Sequence, residues 1–168
     1  MFEERKINPE LLKQYREQGY WKNETLLDCW ERAAAQYPDR EYVVDDRGYR
    51  YTYRELDEAA GRVASYLMEL GIRPGEVVSY QFPIWSEFAM LTIACYKVGA
   101  VAHPIAMSYE EKELARSLNV TESRCYFGPT YFYKTDYEER ILAVRDQTPL
   151  LKDIVLIDSV KPAKSSVR

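Results

Sequence analysis

Residues 51–83 read YTYRELDEAAGRVASYLMELGIRPGEVVSYQFP, and their punctuation decides the fold. Thr52 and Glu55 have capping-box spacing, in which a hydroxyl and a carboxylate satisfy the orphan amides of a helix start reciprocally. Leu56, Ala60, Val63, Leu67 and Leu70 then recur at spacings of three and four, which places them on one helix face. Gly71 can take the left-handed conformation that closes such a helix. Pro74-Gly75 makes a turn, and Val77 to Phe82 is a mostly apolar run of strand length, as expected of a strand buried on both faces. A helix, a stop and a buried strand imply an α/β domain but carry no chemistry.

The rhythm continues toward the C-terminus. Ser86 is placed to cap a helix through Phe88, Leu91, Ile93, Cys95 and Val98, stopped by Gly99. Ala100 to His103 reads as a short strand whose ladder Pro104 ends. Ser108 and Glu111 match a second capping box, opening a helix to about Asn119. Arg124 to Phe127 is a strand, Asp136 caps a helix carrying Ile141, Leu142 and Val144, and Asp153 to Ile157 is a last strand. Toward the N-terminus, Tyr49 to Tyr53 and Glu41 to Asp45 form a hairpin around Asp46-Arg47-Gly48. Thr25 caps a helix to about Tyr37, and Asn8-Pro9-Glu10 opens a shorter one ending near Gly19. The fold class is therefore α/β: a mostly parallel βαβ sheet layered with helices, plus a small β-hairpin. The expected organisation is a peripheral N-terminal helix in 1–24, an α/β unit over 25–158, and a flexible tail or truncation point at 159–168, SVKPAKSSVR.

Composition excludes several classes. The 168 residues are 46% hydrophobic and 30% charged, enough to bury a core. Net charge is −4 and the basic residues form no stripe, so no nucleic-acid partner is expected. Cys29, Cys95 and Cys125 are far apart in apolar contexts and read as reduced core residues of a cytoplasmic protein. With one histidine, His103, a zinc site has few ligands, and no metal is expected on this chain. MFEERKINPE lacks an apolar signal segment, and the most apolar window, Phe88 to Ile105, is too interrupted to span a membrane.

Open parallel sheets bind ligands beyond the carboxyl ends of their strands. Two loops lie there, Phe82-Pro83-Ile84-Trp85-Ser86 and His103-Pro104-Ile105-Ala106-Met107-Ser108. Neither is glycine-rich, and there is no Walker-type or G-x-G-x-x-G pattern, so no phosphate-cradling loop is identifiable. Ser86 and Ser108 read as helix caps before nucleophiles. His103, at a strand exit, and Trp85, exposed by its loop position, are the substrate-pocket candidates. The ordinary alternatives are a histidine satisfied near the sheet edge and a tryptophan packed over it. Tyr131-Phe132-Tyr133 reads as a packed aromatic patch, and Asp45-Asp46 as a solvated turn.

Five stretches in order resemble one family. Ala34-Ala35-Gln36-Tyr37-Pro38-Asp39-Arg40 is similar to its opening helix and Pro-Asp-Arg exit, and Tyr51-Thr52-Tyr53-Arg54-Glu55-Leu56 to its Thr-Tyr-x-Glu-Leu. Leu70-Gly71-Ile72-Arg73-Pro74-Gly75-Glu76-Val77-Val78 resembles its Gly-Val-x-x-Gly-Asp-x-Val. Gln81-Phe82-Pro83-Ile84-Trp85-Ser86-Glu87-Phe88 resembles Gln-Leu-Pro-Asn-Trp-x-Glu-Phe, with Ile84 where the family has Asn. Ala94-Cys95-Tyr96-Lys97-Val98-Gly99-Ala100-Val101 resembles Ala-x-x-Lys-x-Gly-Ala-Val. The family is the AMP-dependent acyl-CoA synthetases and ligases, which form acyl-adenylates. The variant here is most similar to the medium-chain or cyclic carboxylate–CoA ligases.

The resemblance implies the incomplete N-terminal part of a larger adenylating-enzyme domain. In the parent enzyme, a small-molecule carboxylate would attack the α-phosphate of ATP, with Mg2+, giving an acyl-adenylate, and coenzyme A would then form a thioester. The family's phosphate loop, adenine-side motif, ribose aspartate and catalytic lysine have no counterpart in these residues. No catalytic or cofactor-binding residue carries over, and the chain alone is expected to be inactive. Its expected partner is the missing C-terminal remainder, with self-association through exposed apolar faces in its absence. The alternatives are an acid–AMP ligase that loads a carrier protein, and a standalone noncatalytic Rossmann-like binding or interaction module.

Overall fold

The computed structural model describes residues 8–159. Two helices lead in, α1 (Pro9–Glu17) and α2 (Leu26–Gln36), the latter closed at its start by a Thr25–Asp28 capping box. A hairpin follows, β1 (Glu41–Val44) antiparallel to β2 (Arg50–Thr52). Helix α3 (Tyr53–Glu69) starts at the Thr52–Glu55 capping box, and Gly71 follows its end at φ +76°.

The remaining elements alternate: β3 (Val77–Tyr80), α4 (Ser86–Val98), β4 (Val101–Pro104), α5 (Glu111–Val120) and β5 (Cys125–Pro129). A second hairpin, β6 (Tyr131–Phe132) and β7 (Thr135–Asp136), precedes α6 (Tyr137–Ala143) and β8 (Asp153–Ile157). Strands β4, β3, β5 and β8 lie in that order in one parallel sheet. The chain leaves β3 in one direction, to β4, and then crosses back to β5. Right-handed crossovers in opposite directions put their helices on opposite faces.

Two cores result. On one face, Ala64 and Leu67 of α3 and Leu91, Ala94 and Cys95 of α4 pack on Val78, Tyr80 and Phe127. On the other, Leu114, Ala115 and Leu118 of α5 and Ile141 of α6 pack on Tyr126. Leu67 and Leu114 are fully buried, each contributing about 2 kcal/mol by area. A third cluster, around Trp30, Leu56, Ala60 and Ile93, fastens α2 and the first hairpin to α3 and α4.

Several expectations change. Ser86 is the first residue of α4, not its cap; Trp85 precedes the helix with no side-chain cap bond, and the Ser86 hydroxyl donates to Asp45 at 3.3 Å. The Ser108–Glu111 box does not form, because Glu110 stands at the N-cap of α5. Carbonyls of the connection before it accept from other elements: Tyr137 Oη donates to the Met107 carbonyl at 3.1 Å and Arg140 to the Tyr109 carbonyl at 2.8 Å. Those tertiary bonds fix residues that a longer helix would need. Cys29 is exposed on α2, whereas Cys95 and Cys125 are buried. The second hairpin had no sequence signature, since Tyr133-Lys134 replaces the usual Asn or Gly, and Tyr133 itself takes φ +59°. Tyr133 is exposed at that turn, so only Tyr131 and Phe132 of the aromatic trio are part-buried. Ser159 is tied to Thr130, its amide donating to Oγ1 at 3.0 Å; the rest of the tail, 160–168, lies outside the described residues, as do 1–7.

Candidate functional site

The strand order β4-β3-β5-β8 places the topological switch at the carboxyl ends of β3 and β5, where such sheets bind ligands. Here that crevice is filled. Gln81 is fully buried, donates from Nε2 to the Ala106 carbonyl at 2.6 Å and accepts at Oε1 from Tyr126 Oη at 2.9 Å. Its main-chain N–H also donates to the Phe127 carbonyl at 2.9 Å. One side chain thus joins the exits of β3 and β5 to the β4–α5 loop. Burial raises the Tyr126 phenol far above its ordinary range, so it stays a neutral donor. Gly128 makes the arrangement possible, since a Cβ there would lie 2.6 Å from Tyr126 Oη.

His103 lies on β4 opposite Ser79 of β3, on the α5 side of the sheet. Its Nδ1 is 2.8 Å from Ser79 Oγ, and its Nε2 is 3.4 Å from Ser117 Oγ on α5. Ser79 Oγ continues to Ser123 Oγ at 2.5 Å, and Ser123 to Thr121 Oγ1 at 2.8 Å. Desolvation lowers the imidazole pKa below its ordinary value, favouring the neutral ring. Ser79 is fully buried, so its hydroxyl has no route to a substrate. A hydroxyl chain closed on itself in this way fixes strand spacing and the α5 approach.

Trp85 occupies the opposite face. It is buried rather than exposed, packed among Phe82, Leu91 and Phe127. Phe132 of the second hairpin meets it edge-on at 5.7 Å between ring centroids, and the Arg47 guanidinium lies 4.1 Å above its ring. Its Nε1–H is the single buried side-chain nitrogen or oxygen without a hydrogen-bond partner among the described residues. The two sequence candidates, His103 and Trp85, therefore do not converge.

Asp45 and Arg47 organise the Trp85 edge, and sequence reasoning missed them. Asp45 is buried, not solvated. Oδ1 accepts from the amides of Arg47 and Tyr49 at 3.0 Å each, and Oδ2 accepts from Arg47 Nη2 at 2.8 Å and the Ser86 amide at 3.4 Å. Arg47 also pairs with Glu87 of α4. Burial by itself raises the Asp45 pKa, but the hydrogen bonds from Arg47, Tyr49 and Ser86 outweigh it and hold the carboxyl below its usual range. The sequence signal was Asp, Arg and Gly at 45, 47 and 48, an Asx turn with glycine at φ +85°.

Two apolar concavities flank this edge. One, of about 480 Å³, is walled by Tyr42, Phe82, Trp85, Phe88 and Met107 among others. The second, of about 290 Å³, runs between α3 and α4 over Phe127, Val155 and Ile157, with Arg62 and Glu87 in its wall. Among the described residues, no group of three or more His, Cys, Asp or Glu converges to hold a metal, and no helix is long and apolar enough to cross a membrane. The described residues offer no such carboxylate set to a magnesium–nucleotide complex.

Residues 30–167 match the family described as AMP-binding enzyme. The chain is 40% identical over 153 residues to the medium-chain fatty-acid–CoA ligase of Escherichia coli K12, covering 91% of this chain and 27% of that protein. It is 31% identical over 147 residues to the 2,3-dihydroxybenzoate-AMP ligase of Bacillus subtilis 168, covering 88% and 27%. The apo structure of Mycobacterium smegmatis MbtA superposes with a TM-score of 0.78 at 27% identity, covering 89% of this chain and 27% of that one. The chain thus spans about a quarter of the length of the relatives it matches.

Proposed function

The chain belongs to the AMP-binding enzyme family, as an N-terminal portion of the adenylate-forming fold, and on that premise we propose that it is part of a carboxylate–CoA ligase. The observation that carries this reading is the 40% identity to a medium-chain fatty-acid–CoA ligase over nearly the whole chain. In such a ligase a carboxylate would displace pyrophosphate from ATP, and coenzyme A thiolate would then displace AMP from the acyl-adenylate. Activation is needed because a carboxylate oxygen is a poor leaving group and AMP is a good one. The residues of this chain supply one wall: the Gln81 junction holds the strand exits, and the Trp85 edge offers apolar surface to an acyl group.

A carrier-protein acceptor is the second reading, supported by the 31% identity to an aryl-acid–AMP ligase. The two share adenylation and differ in the thiol. The test is ATP–pyrophosphate exchange on the longer protein that contains this sequence, with a panel of medium-chain and aromatic acids. Acid-dependent exchange is expected, and none from the 168 residues alone; absence of exchange with every acid would overturn the ligase reading. Adding coenzyme A then separates the acceptors, since only the CoA ligase releases acyl-CoA. The isolated chain, with its apolar grooves uncovered, is expected to self-associate; a monodisperse monomer by light scattering would contradict this.

A further inference from the structure

His103 is the single histidine of the chain, and its two ring nitrogens meet different hydroxyls, Ser79 at Nδ1 and Ser117 at Nε2. A neutral imidazole carries one N–H. Which nitrogen holds it is set by the hydrogen bonds around the ring.

The order of hydrogens follows from the far end of the network. Thr121 Oγ1 lies 2.8 Å from the Ser117 carbonyl. A carbonyl only accepts, so the one hydroxyl hydrogen of Thr121 is committed there. Turned away, it would leave two oxygen lone pairs facing each other at that distance. Thr121 therefore accepts from Ser123 Oγ, 2.8 Å away. Ser123 has then used its own hydrogen and accepts from Ser79 Oγ at 2.5 Å. Ser79 in turn has none left for His103, so the hydrogen in the 2.8 Å contact between them belongs to Nδ1. Nε2 keeps its lone pair and accepts from Ser117 Oγ at 3.4 Å. Ser79 and Ser123 are both buried, so solvent does not offer either hydroxyl another partner.

The structure assigns the Nδ1–H form to His103 and makes Thr121 the residue that sets it, through a one-way chain of hydrogen bonds from the imidazole by Ser79, Ser123 and Thr121 to the Ser117 carbonyl. Thr121 is a positioning residue, since it reaches the ring only through two other hydroxyls. Neutral histidine in water favours Nε2–H, so the network imposes the less common form. The consequence lies on β4, a strand at the sheet edge. Nδ1–H ties it to β3, and Nε2 ties it to α5. Just beyond His103, the Ile105 amide donates to the Tyr80 carbonyl at 2.8 Å, and the Ala106 carbonyl accepts from Gln81. The ordered ring thus holds the strand that delivers the β4–α5 loop to the Gln81 junction. None of this depends on the ligase reading.

The test is the 15N spectrum of the imidazole in the 168-residue chain labelled at histidine, at about pH 8, above the ordinary histidine pKa. One histidine gives one ring to assign. Long-range proton–nitrogen correlations are expected to place Nδ1 at the shift of a protonated ring nitrogen and Nε2 at that of a lone-pair nitrogen. Magic-angle spinning reads the same two shifts if the chain associates. Thr121→Val removes the hydroxyl that sets the direction. Ser123 can then donate to Ser79 and Ser79 to Nδ1, and the two nitrogen shifts are expected to exchange. Thr121→Ser is expected to keep the parent pattern. Ser79→Ala, which removes the acceptor of Nδ1–H, serves if Thr121→Val does not fold, with the same exchange expected. A folded parent chain with Nε2–H, a Thr121→Val or Ser79→Ala variant that keeps Nδ1–H, or a Thr121→Ser variant that loses it would each overturn the assignment.

Discussion

The two faces of the central sheet bury polar groups in opposite ways. On the α5–α6 face, Ser79, His103, Ser117, Ser123 and Thr121 bond to one another. On the α3–α4 face, the wall is apolar and the indole N–H of Trp85 has no partner. Histidine and serine attract attention as chemistry, and tryptophan as packing. The contacts temper both readings: the His103 network is satisfied within itself, and Trp85 is held in the core by Phe132 and Arg47 at the edge of an apolar concavity.

The sharpest way to break this comparison is at the junction between the faces. Gly128→Ala puts a Cβ 2.6 Å from Tyr126 Oη and 2.9 Å from ring carbons of a side chain with no exposed surface. The ring cannot turn aside without losing the Gln81 bond. A loss of about 3 kcal/mol is expected, at the upper end for overpacking, measured by urea denaturation.

The next effect belongs to the clamp beneath Trp85. Asp45→Asn removes one of the two carboxylate charges that Arg47 faces and is expected to cost about 2 kcal/mol. It also changes the pH profile. Because the folded Asp45 pKa is depressed, its stabilisation is fully present above the unfolded value of about 3.9 and disappears as pH falls through the folded value. Thermal melts of the parent chain should therefore steepen downward below about pH 4, and those of Asp45→Asn should be flatter there. Equal slopes would show that the buried carboxylate does not hold the hairpin.

Much of this fold is legible in the sequence because each helix start and stop is written locally. Thr52, Glu55 and Gly71 act within a few residues of themselves, and the structure places all three as read. The failures are where a distant partner decides. Ser86 leaves the cap role because Asp45, 41 residues away, accepts its hydroxyl. Ser108 lies outside α5, whose N-cap is Glu110, in a connection that Tyr137 and Arg140 hold from α6. Trp85 sits in a loop by sequence and in the core by structure, since the second hairpin brings Phe132 onto it and β1–β2 brings Arg47. The site was half visible: Trp85 could be picked as a loop aromatic after a strand, but its burial under Arg47 and Phe132 could not.

A smaller effect is expected at His103. Its lowered pKa means the unfolded chain takes up the proton first, so this contribution is present above about pH 6.5 and declines as pH falls below it. His103→Asn is expected to remove that slope and cost about 1 kcal/mol, read from denaturant midpoints at pH 5 and pH 8. A slope retained in the variant would show that the hydroxyl network does not feel the imidazole charge.

The smallest effect concerns the thiols. Burial pushes Cys95 and Cys125 each up to about 12, while Cys29 is exposed. One thiol in three should react quickly with a disulfide reagent under native conditions, with no change in stability. Rapid reaction of all three would mean that the α3–α4 core opens readily.

The most direct measurement compares the two faces by function. In a longer protein containing this sequence, KM for an acid that supports exchange is measured by ATP–pyrophosphate exchange without coenzyme A for His103→Asn and Trp85→Phe. The account predicts that His103→Asn keeps the parent KM and kcat, whereas Trp85→Phe, which shrinks the apolar wall, lowers kcat/KM about fivefold. Loss of activity in His103→Asn with a fully active Trp85→Phe would contradict it.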